Sequence, residues 1–200
     1  MNVKRKIMVF ALILSLIVPL YSASANISNE DALEYLNRPP IVNSTLSASE
    51  FAAFQDTVNK ALDLLQAHDP DAYIRVCLDV KQIKYQEKTE ELNALAVSSY
   101  NGVIITGLFV DQPDKFTPVF VAGVLSHESL HAAVMNNFFR FLETLPPFMR
   151  DFALKNLTID NREEVLAYQC GKNTLIKLNA PQWMIESDRE LQREYMEKIR

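Results

Sequence analysis

His127, Glu128, Ser129, Leu130 and His131 spell H-E-x-x-H. On a helix, residues four apart stand one above the other, so both imidazoles project from one face and can bind a single metal ion. Zinc accepts imidazole nitrogen at roughly 2.0–2.1 Å, and a catalytic zinc takes three protein ligands and leaves one position for water. The expected cofactor is therefore Zn2+, held by His127, His131 and a third ligand supplied from elsewhere in the chain. Glu128, adjoining the first histidine, is expected to face the water side, take a proton from water activated there and pass it to a leaving group. The chain has one further histidine, His68, beside Asp69 and Pro70, where capping of the last helical carbonyls accounts for it.

These side chains need a rigid carrier. Val119 to Phe141 is mostly apolar and free of proline until Pro146 and Pro147, which predicts a long, largely buried helix carrying the motif. Upstream, Ser47 and Glu50 form a capping-box pattern, and Phe51, Phe54, Val58, Ala61, Leu62 and Leu65 recur at helical spacing until Asp69 and Pro70. From Tyr73 to Val80 the period changes to two, with Ile74, Val76, Leu78 and Val80 on one face, which predicts a half-buried strand that Lys81 to Tyr85 extends. Two more apolar segments, Asn93 to Ser99 and Gly102 to Val110, are expected to complete a small sheet. Helices are expected near Phe148 to Leu157, Asn161 to Leu178 and Trp183 to Lys198, the last charged and solvated.

A compact continuation of the motif, as in collagenase-like enzymes, needs Gly at 134 and His at 137, and the chain has Val134 and Asn137. The third ligand is then expected to be acidic and to come from a later helix. Glu163 and Glu164 open one, with Asp160 just before it, and the residues alone leave the three open.

The run Glu164, Val165, Leu166, Ala167 resembles the E-x-x-A ligand helix of gluzincins, metallopeptidases that combine H-E-x-x-H with a distant glutamate and that include the minigluzincins and the prenyl-protein peptidases. Asn93 to Ala96 followed by Gly102 to Leu108 is similar to the strand region that precedes the metal helix in that group. The resemblance spans about residues 93–178. It implies Glu164 as the third zinc ligand, an edge strand that aligns a peptide substrate, and a zincin-like α+β fold. In that fold a small antiparallel-containing sheet packs on the long metal-binding helix, with further helices on the C-terminal side. Gluzincins often place Asp four residues after the ligand glutamate, where it orients a zinc histidine; this chain has Tyr168 there. Tyr168 is expected to hydrogen-bond a ligand or steady the oxyanion, or else to pack as an ordinary helix aromatic.

Length and composition suit one main domain with a real core: 200 residues, 48% hydrophobic and 22% charged. Met1 to Ala25 reads as a secretory signal peptide, with basic Lys4, Arg5 and Lys6, an apolar run from Ile7 to Leu20, and a small-residue end that predicts cleavage after Ala25. Residues 26–46 are read as an arm or pro-segment and 47–200 as the metallopeptidase-like domain. The net charge of −5 becomes more negative once Lys4, Arg5 and Lys6 are removed, which argues against nucleic acid as a partner. No other apolar stretch reaches membrane length, so no stable membrane association is expected after cleavage. Cys77 and Cys170 could pair in an oxidising compartment or stay as separate thiols. The expected activity is that of a secreted or periplasmic zinc endopeptidase acting on polypeptide. Small gluzincins can be held inactive by a terminal segment, and 26–46 and 183–200 are the segments placed to do so, unless both are plain packing helices. The alternative is a non-catalytic zinc-binding envelope or adaptor protein with a metallopeptidase-like fold; hydrolysis of another ester or amide bond is also left open.

Overall fold

The protein is described by a computed structural model at residue 33 and residues 36–87, 96–99, 102–106, 114–155 and 161–199. The residues read as a signal peptide, 1–25, lie outside the described residues, as do most of 26–35, the strand ends expected at 93–95 and 107–110, and Asp160. The elements below belong to the unit Leu36–Arg200.

The first long helix, α1 (Ala48–His68), begins where the capping box predicts. The Ser47 N–H donates to Glu50 Oε2 at 2.9 Å, and the Glu50 N–H donates to Ser47 Oγ at 3.4 Å. Its inward stripe of Phe54, Val58, Ala61, Leu62 and Leu65 is fully buried, and each large side chain contributes about 1.5–3 kcal/mol relative to exposure. Asp69 ends α1 and Pro70 opens α2 (Pro70–Asp79), sitting in the first turn, where a missing N–H costs nothing.

The strand expected at Tyr73–Val80 is therefore a helix. The stretch carries a second pattern, Ala72, Tyr73, Val76 and Val80, whose members all lie in the core, whereas Leu78 of the supposed inward strand face is 63% exposed. Helical winding also aims Arg75 at the metal helix, an interaction that a strand period cannot anticipate. The sheet instead starts with β1 (Ile41–Val42) and β2 (Ile83–Gln86), followed by β3 (Ala96–Ser99) and β4 (Gly102–Thr106).

Strand order is β1-β2-β4-β3, with β1 and β4 parallel to β2 and β3 antiparallel to β4, so the sheet is mixed and β3 is an outer strand. Ile83, Tyr85, Val103 and Ile105 face inward at period two and are all buried. Phe54 of α1 meets Tyr85 edge-on, with centroids 5.7 Å apart, and stacks on Phe116 at 5.8 Å. Gly102 starts β4 at φ +136°, and a Cβ there would lie 2.1 Å from the Gln82 carbonyl oxygen, so only glycine fits.

The third helix, α3 (Pro118–Glu143), is capped by Thr117, whose Oγ1 accepts from the Phe120 N–H at 3.2 Å. It touches α1, α2, β3 and β4, and it packs extensively on α5 (Asn161–Lys177). Helix α4 (Pro147–Lys155) lies between them in sequence, and α6 (Gln182–Ile199) packs on α5. The fold is α+β, as expected. Among the described residues no helix is long and apolar enough to cross a membrane.

A buried polar network ties α2, α3 and α5 together. Arg75 Nε donates to Ser129 Oγ at 2.9 Å, and its Nη2 donates to the Ser126 carbonyl and hydroxyl, each at 3.2 Å. Thr174 Oγ1 donates to Asp69 Oδ2 at 2.5 Å and lies 2.8 Å from Ser126 Oγ, while Lys177 Nζ donates to Asp69 Oδ1 at 2.6 Å. Thr174, Ser126 and Ser129 are inaccessible to solvent or nearly so, so a missing member leaves its partners unpaired. Thr174→Val should therefore destabilise the protein by about 1–3 kcal/mol in urea unfolding; unchanged stability would show that the network adds nothing.

Candidate metal centre

The motif residues face a cleft of about 480 Å³ whose lining includes β3, α3, α5 and α6. On α3, His127 and His131 point their Nε2 atoms at each other across 3.3 Å. From α5, Glu164 brings Oε2 to 3.7 Å from His127 Nε2 and Oε1 to 3.6 Å from His131 Nε2. One donor atom from each of the three residues falls within 4.8 Å of the others, a group suited to a metal ion. Two imidazoles and one carboxylate match the ligand types that transition metals accept.

Glu128 is buried beside this group without belonging to it, with Oε1 4.0 Å from His127 Nε2. The backbone and side chain of Ser98 on β3 hydrogen-bond to its carboxylate. Burial pushes the Glu128 carboxyl up to about 7, against the pull of His131 and Ser98.

Glu163, one of the three acidic residues left open as third ligand, sits elsewhere. Its Oε1 lies 2.7 Å from His131 Nδ1, on the opposite side of the ring from Glu164. A carboxylate at Nδ1 fixes the ring's tautomer and turns Nε2 inward as a ligand. Adjacent glutamates on α5 thus reach the two nitrogens of one imidazole. Burial disfavours charge on His131, but the bond to Glu163 and the Glu164 and Glu128 carboxylates outweigh it and raise its pKa to about 10. His127 is driven down to about 4 by burial and then by His131. Without metal, the site therefore keeps a proton on His131, which a bound cation must displace.

Tyr168 enters through its ring. It meets His127 edge-on, with centroids 4.4 Å apart, and stacks on Tyr195 of α6 at 5.7 Å. Burial and Glu164 hold its hydroxyl proton well above the ordinary phenol range. Cys77 and Cys170 are separate thiols, so the two cysteines do not pair. Helix α6, expected to be solvated, has an outward charged face, but Trp183, Met184, Ser187, Asp188, Leu191 and Tyr195 line the cleft.

Comparison with known proteins returns no matching family model, no matching curated protein and no matching solved structure.

The pattern reading missed Ser98, the Nδ1 role of Glu163, and the Arg75 contacts to Ser126 and Ser129. Ser126 just before the motif and Ser129 within it, both on a buried helix, were the available signal, because buried hydroxyls require partners. Glu164→Ala should abolish stoichiometric metal binding, whereas Glu163→Ala should weaken it about 10–100-fold, both read by competition with a chromophoric chelator. Equal affinity in wild type and Glu164→Ala would remove Glu164 from the ligand set.

Proposed function

We propose that this chain is an exported, zinc-dependent endopeptidase of the gluzincin type, acting on polypeptide. The observation that carries the reading is Glu128: a buried carboxylate next to a His-His-Glu group, outside that group, and facing an open cleft. A purely structural metal site has no use for a further acidic group placed this way, whereas hydrolysis needs one to move protons.

His127, His131 and Glu164 would hold a zinc ion, and the chemistry it would supply is Lewis acidity towards water and a carbonyl oxygen. The chain's residues do the rest. Glu128 takes the proton from the attacking water onto its carboxylate and delivers it to the departing amine. Hydrogen bonding from Ser98 fixes the carboxylate while β3, from which Ser98 comes, offers an outer edge for an extended polypeptide. Ala96, Val97 and Ser98 line the cleft along that edge. Glu163 holds the His131 ring, and Tyr168, protonated and packed beside His127, is our candidate donor for negative charge developing on the substrate oxygen. Export is supported by the basic, apolar and small-residue order of residues 1–25.

Glu128→Gln keeps the shape of the side chain and removes its basicity. The zinc-supplemented variant should retain metal while cleavage of a mixed peptide library falls about 10²–10⁴-fold, as read by mass spectrometry of the fragments. Cleavage at the wild-type rate would reject Glu128 as the base, and no cleavage by wild type would reject the peptidase reading.

A further inference from the structure

Among the described lining residues, the acidic side chain besides Glu164 and Glu128 is Asp188 on α6. Phe120 and Val124 of α3, Leu175 of α5, and Met184 and Leu191 of α6 make much of the lining apolar, and no Lys or Arg is among the described lining residues. Asp188 makes no hydrogen bond or ion pair with the described residues. The cation that acts on it, Lys172, has its ammonium bonded to Gln169 Oε1 at 2.9 Å and Gln192 Oε1 at 2.7 Å. Burial raises the Asp188 carboxyl to about 6, against Lys172.

Space for this carboxylate is provided by Gly171. A Cβ on Gly171 would lie 2.9 Å from Asp188 Oδ2 and 3.4 Å from His127 Cβ. Gly171 thus lies between the carboxylate and the first motif histidine. An unpaired carboxylate among apolar walls is costly, and the cost is recovered when a ligand brings the missing cation. Trp183 lines the same cleft, yet is 50% exposed, which leaves indole surface free to stack on a guanidinium.

We propose that the cleft selects polypeptides with an arginine or lysine side chain, whose aliphatic stem packs on the apolar walls and whose cationic head pairs with Asp188. This specificity rests on the peptidase reading for its purpose, but its binding step can be tested without catalysis. Trp183 is the chain's single tryptophan, so fluorescence excited selectively at the indole reports on the cleft.

Zinc-supplemented Glu128→Gln protein is titrated with blocked alanine-based hexapeptides carrying one arginine stepped through every position, and with their citrulline counterparts. At one or more positions the arginine peptide should bind about ten-fold or more tightly than its neutral counterpart, and adding Asp188→Asn should bring the two Kd values together. Equal affinities at every position, or no saturable signal with any arginine peptide, would overturn the proposal, and this comparison needs no variant at 188. Persistence of the preference in Asp188→Asn would overturn it too, as would loss of zinc in that variant, which would make Asp188 a support for His127. Wild-type cleavage without preference for basic residues would sink the selector and leave the peptidase standing; arginine-dependent binding without cleavage would do the reverse.

Discussion

Two imidazole nitrogens held 3.3 Å apart on a largely buried helix repel one another as soon as both carry protons. Something must supply compensating negative charge, and α5 does so with two consecutive glutamates. Glu164 faces both Nε2 atoms, and Glu163 closes on the far nitrogen of His131. Much of the architecture follows from holding α5 against α3 in the register that makes this possible. Gly123 and Gly171 leave room for the helices to approach closely, and the Asp69–Thr174–Ser126–Arg75 network, whose members are not among the cleft's lining residues, fixes their relative position.

The same constraint gives β3 and α6 their places. A strand that is outermost among the described residues brings Ser98 onto Glu128, so the carboxylate beside the His-His-Glu group is held from the sheet. On the other side α6 contributes Asp188, Trp183 and Tyr195 to the cleft wall. Its sequence is dominated by charge, but helical geometry separates that charge from the face turned inward.

Local patterns were legible where they were strong. The capping box at Ser47, the proline at 70, and the long apolar run around the motif set α1 and α3 to within a few residues. At Tyr73–Val80 two periodicities coexisted, and the helical one prevailed because its members reach the core and Arg75 reaches α3. Within the site, a spacing of four placed two imidazoles together, which is a purely local fact. Glu164 joins them in the structure, but nothing in the spacing of Glu163 and Glu164 separates their roles. That distinction depends on the rotation of α5 against α3, a tertiary property. Ser98 and Asp188 were illegible for the same reason, since each arrives from an element distant in sequence.

The central claim is that His127, His131 and Glu164 jointly hold one metal ion with a position left open. X-ray absorption at the metal edge of protein purified with zinc, combined with metal stoichiometry, tests it most directly. One ion per chain is expected, with two imidazole nitrogens and carboxylate oxygen at about 2.0–2.2 Å and a remaining oxygen that exchanges with added anion. No stoichiometric metal, sulfur in the coordination sphere, or a fourth ligand from the protein would contradict it.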